Sequence, residues 1–279
     1  LVNHFIEKNE RNIQKVDIKT AIKENKIEVI YHSLLKENSI TEDFFKRNAT
    51  TSIKKIAIPS SVTSISSDAF KGFSSLVQIS IPSSISMIDN NAFCKCNSLK
   101  QITIPYSVKS IGRNAFTQCN SLTKITIPPF VTKIDAHAFS HCSKLEQVKI
   151  LSPITSIEDG LFTGCSSLVQ IMIPSSVTSI GEEAFYECTA LKKVTIPSSV
   201  AFIGDYAFSD CSSLLEIEIP SSVTEIKDYT FNECTALKKV IFPSSVTKLG
   251  NYAFYGCSSL PHVEIPNSVT FIGNHAFNE

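Results

Sequence analysis

The stretch Ile173-Pro174-Ser175-Ser176-Val177-Thr178-Ser179-Ile180, followed by Ala184-Phe185, Cys188 and Leu191, decides the fold of this chain. The same pattern returns every 23 residues without insertion or deletion. Its phenylalanine recurs from Phe70 through Phe93 and Phe116 to Phe277, and its proline from Pro59 to Pro266, with Leu151 as the one exception. A fixed period of this length marks a solenoid, in which each coil buries its apolar face only by stacking on its neighbours.

Composition agrees with an elongated stack and excludes several functions. Lysine plus arginine balance aspartate plus glutamate at 26 each, so no overall field draws the chain to nucleic acid or an anionic membrane. No apolar run approaches the roughly 18 residues needed to span a bilayer. The sequence opens at Leu1 with no visible signal peptide, which does not exclude secretion. Eight of the nine cysteines, from Cys96 to Cys257, share one column of the repeat, and Cys94 alone lies outside it. Phe73 fills that column in the earliest coil, so the position is expected to be core, with free thiols packed as small hydrophobes. Disulfides between stacked coils remain the alternative.

Residues 1–52 lack the repeat and read as a helical N-terminal cap over the first coil of the solenoid, residues 53–279. Ile13, Val16, Ile18, Ala21 and Ile22 form an apolar stripe over Ile13 to Lys26, and a second helical run follows from Ile27 to Leu35. Ser39 or Thr41 can cap a short turn carrying Phe44 and Phe45. A remnant of a separate helical domain is the other reading. From Ile53 each coil opens as L-x-x-[IV]-x-I-P, an alternating half-buried strand closed by proline. Ten such strands, from Ile53 to Leu260, would build a parallel sheet roughly 45 Å long. A serine column (Ser84, Ser176, Ser199) is placed to bond backbone where the chain leaves the sheet. The V-x-x-I step then turns inward. Asn or Asp (Asn90, Asp159, Asp205) stands next, as an N-cap would, before a single helical turn on the outer face.

With strand, turn and C-x-x-L return in view, the chain closely resembles BspA-like leucine-rich repeat proteins from Ile53 to Phe277. The resemblance implies an α/β repeat solenoid, a right-handed superhelix with a parallel sheet on one face and short or single helical turns on the other. It also implies a non-enzymatic protein-binding role. Many members are surface proteins implicated in adhesion to host matrix or cells, so the expected location is the cell surface or the exterior. The expected partner is a host matrix or cell-surface protein. The alternative is a soluble cytoplasmic scaffold using the same surface.

No catalytic motif, cofactor loop or metal site is expected. The nearest approach to a metal site, His137-x-x-x-His141 beside Cys142, lacks a fourth ligand. Candidate partner-binding residues stand where columns depart from their usual type. On the strand face these are Lys193, Glu216, Glu218 and Lys239. Just past the strands, Tyr106 and Phe130 form one apolar patch, and on the outer turns Tyr206, Tyr229 and Tyr252 share a column as either an interface or a self-stacked ladder. The sequence stops inside a coil, at Phe277-Asn278-Glu279. That leaves Val269, Ile272 and Phe277 facing water, and implies a chain cut short, a frayed last coil or an end-to-end homodimer.

Overall fold

The computed structural model describes residues 53–278 other than Pro59, together with the backbone of Glu28–Val29 and Ser39–Ile40. Most coils carry two short strands, and where strands pair they do so in parallel with the corresponding strand of a neighbouring coil. The first ladder uses the L-x-x-[IV]-x-I segment, in strands such as Gln147–Ile150, Gln170–Met172 and Lys193–Thr195. Within the solenoid every pair is offset by one repeat, Gln147 opposite Gln170 and Ile171 opposite Val194. One position of the repeat therefore stacks on itself, coil after coil. Inward residues alternate with outward ones, as in the exposed-buried-exposed order of Gln170–Met172.

The V-x-x-I step is more than a turn. It forms a second parallel ladder of two-residue strands, including Ser156–Ile157, Ser179–Ile180 and Phe202–Ile203. Val177 and Ile180 point inward from it and are fully buried. Between the two ladders runs the core, whose axis is a file of stacked phenylalanine rings with centroids 5.2–5.9 Å apart. The cysteine column lies beside this file. All nine cysteines are free and buried, and the column's Sγ atoms donate to phenylalanine carbonyls, for example Cys188 to Phe162 at 3.2 Å.

The outer face holds no helix among the described residues, contrary to the single helical turn expected there. Within one turn, amide bonds alternate. Ala69 and Lys71 donate back to Ser66 and Asp68, while Asp68, Phe70 and Gly72 donate across to Asn90, Ala92 and Cys94 of the next coil. Two positions per turn take positive φ, as at Tyr206 (56°) and Asp210 (59°), and such residues interrupt a helix. The Asn/Asp column follows the same logic. Its Oδ1 atoms accept from amides one coil onward, Asp159 from Glu182 at 2.9 Å and Asp228 from Asn251 at 2.7 Å, so they link coils and cap no helix. The serine column bonds backbone as read, Ser176 to the Ile154 carbonyl and Ser199 to that of Val177, at 2.7 and 2.6 Å.

Two further expectations are corrected. The N-terminal segment contributes strands where its backbone is described: Glu28–Val29 pairs in parallel with Lys55–Ala57, and Ser39–Ile40 with Ser64–Ile65. The helix expected from Ile27 to Leu35 is thus strand at Glu28–Val29, because extending the ladders satisfies the open backbone edge of the first coil. The helix over Ile13 to Lys26 and the turn carrying Phe44 and Phe45 lie outside the described residues. The first ladder also falls short of ten strands. The Leu99 coil contributes only a bridge between Gln101 and Gln78, and the Leu260 coil contributes no strand. In the latter, Pro261 occupies the column whose amide reaches back one coil elsewhere, as Lys238 does to Leu215 at 2.9 Å. Proline has no hydrogen to give there.

Candidate functional site

The outward columns of the first ladder place Lys192-Lys193, Leu215-Glu216 and Lys238-Lys239 in three successive coils. Strand register sets Glu216 opposite Lys239, the Lys193 ammonium reaches Glu216 from the coil before, and backbone bonds line up Lys192, Leu215 and Lys238 in the next row. Together they line a shallow open depression of about 390 Å³. Leu215, 44% exposed, is the one apolar residue of its lining, and Lys192, Lys193, Lys238, Lys239 and Glu216 line the rest. Lys193 meets Glu216 at 3.9 Å, with both side chains more than half exposed, a pair that contributes little in water. Lys192, Lys238 and Lys239 carry no ion pair among the described residues. Glu218 stands one column further along, opposite Ile241, which is 42% exposed. Of the residues singled out from sequence, the structure brings Lys193, Glu216 and Lys239 together here. Lys192, Leu215 and Lys238 were missed, although the Lys-Lys pair recurring two repeats apart was a visible signal.

The other candidates lie elsewhere. Tyr106 and Phe130 are both exposed, yet no ring contact joins them among the described residues. Instead the Lys109 ammonium sits 4.7 Å from the centre of the Phe130 ring, a cation–π contact. Tyr206, Tyr229 and Tyr252 stack in one file, with centroids 4.5 and 4.8 Å apart, and His275 continues it at 5.0 Å. All three tyrosines occupy positive φ and donate their amides to the next coil, so their backbone is committed to the stack. Burial, then the neighbouring Tyr229, Asp205, Asp228 and Glu182, hold the Tyr206 hydroxyl above its usual range.

His137 and His141 do not converge. Each imidazole lies over a glycine of the next coil, Gly160 and Gly164, where a side chain would occupy the same space. No group of three His, Cys, Asp or Glu side chains is placed to hold a metal among the described residues. Nor is any helix there long and apolar enough to cross a membrane. The column thiols are poor nucleophiles, because burial pushes those of Cys142 and Cys257 up to about 12 and those of Cys165 and Cys211 up strongly as well.

Ladders, phenylalanine file and cysteine column together define a leucine-rich repeat solenoid. The chain belongs to the BspA-type leucine-rich repeat family, whose six-copy region matches residues 38–169 and 155–279. A leucine-rich repeat protein from Bacteroides ovatus is 29% identical, with a TM-score of 0.65 over 86% of this chain and 79% of that one. A leucine-rich cell surface protein from Faecalibacterium prausnitzii is 30% identical over 80% of this chain and 73% of its own, with a TM-score of 0.44. Curated protein sequences provide no match. The family model begins at residue 38, ahead of the boundary read from sequence at residue 53, in keeping with the strand at Ser39–Ile40.

Proposed function

We propose that this protein is a non-enzymatic recognition module displayed outside the cell, where its solenoid holds a partner protein in adhesion or host recognition. One observation carries the reading: the outward columns present charged and large apolar side chains in a fixed array. Leu215 and Ile241 stand exposed in adjacent coils of the first ladder with Lys192, Lys193, Lys238 and Lys239 beside them, and apolar groups gathered inside a polar rim are typical of interaction sites. The backbone beneath the array is bonded from coil to coil, so binding orders the side chains but need not order the backbone. Membership of a repeat family that is generally non-catalytic supports the first half of the proposal. Surface display is what the family resemblance implies.

An intracellular scaffold is favoured by one feature, the nine free thiols. Yet a thiol in this column is buried and bonded to a carbonyl, so it resists oxidation wherever the protein resides. The thiols therefore do not weigh against display. Treating intact cells with a membrane-impermeant amine-reactive label tests the placement. The protein should be labelled to the same extent before and after lysis, and labelling only after lysis would contradict it.

A further inference from the structure

The formal charge of the chain is zero, but the charges are sorted by face. In the coils that begin at Leu168, Leu191 and Leu214, the outer turns carry Glu182, Glu183, Glu187, Asp205, Asp210 and Glu233. On the first ladder of the coils that begin at Leu191, Leu214 and Leu237, the four lysines Lys192, Lys193, Lys238 and Lys239 outnumber Glu216 and Glu218. At a strand separation of about 4.8 Å, the two Lys-Lys pairs stand roughly 10 Å apart along the stack. Glu216 between them and Glu218 opposite Ile241 offset two of the four ammonium charges, leaving a net positive rim around the apolar Leu215, with exposed Ile241 beside it. An anion placed there would relieve the repulsion among like charges that the fold holds in fixed rows.

Resting on the reading of the solenoid as partner-binding, we propose that this depression holds an acidic, extended segment of the partner protein, its carboxylates on the four lysines and an apolar side chain on Leu215. The apolar residue in the lining favours a peptide over a sulfated polysaccharide, which would satisfy the rim but leave Leu215 and Ile241 uncovered by any matching surface. A polyproline-type segment repeats every third residue at about 9 Å, close to the separation of the two lysine pairs. A carboxylate at each third position can therefore meet both.

The probe is a fluorescein-labelled peptide of repeating Glu-Glu-Leu, with repeating Lys-Lys-Leu as control and heparin as the sulfated polymer. Fluorescence anisotropy should show that the acidic peptide alone binds, more tightly at low salt. The pair Lys192→Glu and Lys238→Glu should weaken it at least tenfold. Leu215→Ser should weaken it severalfold without altering the salt dependence, which separates the apolar contact from the charges. These side chains are exposed, and an unchanged melting temperature shows that the variants fold. Binding of heparin but not of the peptide overturns the proposal, as does peptide binding that survives charge reversal. Self-association abolished by the same reversal would assign the depression to a second copy and also overturn it. Should no probe bind, the acidic-segment assignment falls, while labelling of intact cells still decides surface display independently.

Discussion

Phe185 lies between Phe162 and Phe208, ring centroids 5.6 and 5.2 Å away, and none of its surface reaches water. Removing the ring leaves a cavity bounded by two coils that are fixed in place by their ladders. Phe185→Ala is therefore expected to destabilise the chain by about 3–5 kcal/mol in urea unfolding. Beside the ring, Cys188 is fully buried, and thiol titration should find few reactive groups in the native protein and nearly all nine once it is unfolded. The same burial makes stability fall with alkali. In the unfolded chain a thiol ionises near its ordinary 9.0, whereas burial holds Cys142 up to about 12. Above pH 9 the unfolded state binds fewer protons, so the contribution of the thiols is complete below that pH and is lost as pH climbs toward about 12. The melting temperature should drop across this window. The drop should shrink in a variant carrying Cys142→Ala and Cys188→Ala, which separates the thiols from the lysines titrating nearby.

At the scale of one coil, the outer turn is held by bonds to its neighbour, and a single column shows it. Asp228 accepts from the Asn251 amide at 2.7 Å and from the Asn251 Nδ2 at 3.0 Å. Asp228→Ala should cost about 1–2 kcal/mol, and Asp228→Asn, which keeps an acceptor oxygen, should restore most of it. Replacing Pro261 by lysine, the residue one coil earlier in its column, supplies the missing amide. It should extend the first ladder and raise stability by about 1 kcal/mol, with new hydrogen-exchange protection in residues 261–265. The first ladder was legible in sequence because three inward residues and, in every coil but that of Leu151, a closing proline recur. The second was not, since two-residue strands give no run of alternation to read. The outer turns looked helical because the side-chain oxygen of Asn or Asp can accept an amide of its own turn, as at an N-cap, or one of the next coil, as Asp159 and Asp228 do. Only the bonds across coils decide between those uses, and local sequence does not display them. In the lysine-rich depression, Lys193, Glu216 and Lys239 were found from strand alternation. Lys192, Leu215 and Lys238 were overlooked because the residue after the buried leucine lies ahead of the regular strand, yet it also faces out.

For the molecule as a whole, the one-repeat register converts a periodic sequence into a surface of straight rows, and composition cannot show which rows lie together. The balanced net charge concealed lysines gathered on the first ladder and carboxylates on the turns. Stacking also means that each coil depends mainly on its neighbours, so damage at Phe185 should weaken the middle of the stack more than its ends. If this array serves adhesion by holding a partner protein, free chain must compete with the displayed protein for that partner. Competition tests it most directly: cells that display the protein are allowed to settle on immobilised host matrix in the presence of excess purified, folded chain. The account predicts that adhesion falls as free chain is added, and that chain carrying Lys192→Glu and Lys238→Glu competes poorly. Adhesion unaffected by saturating wild-type chain would contradict it.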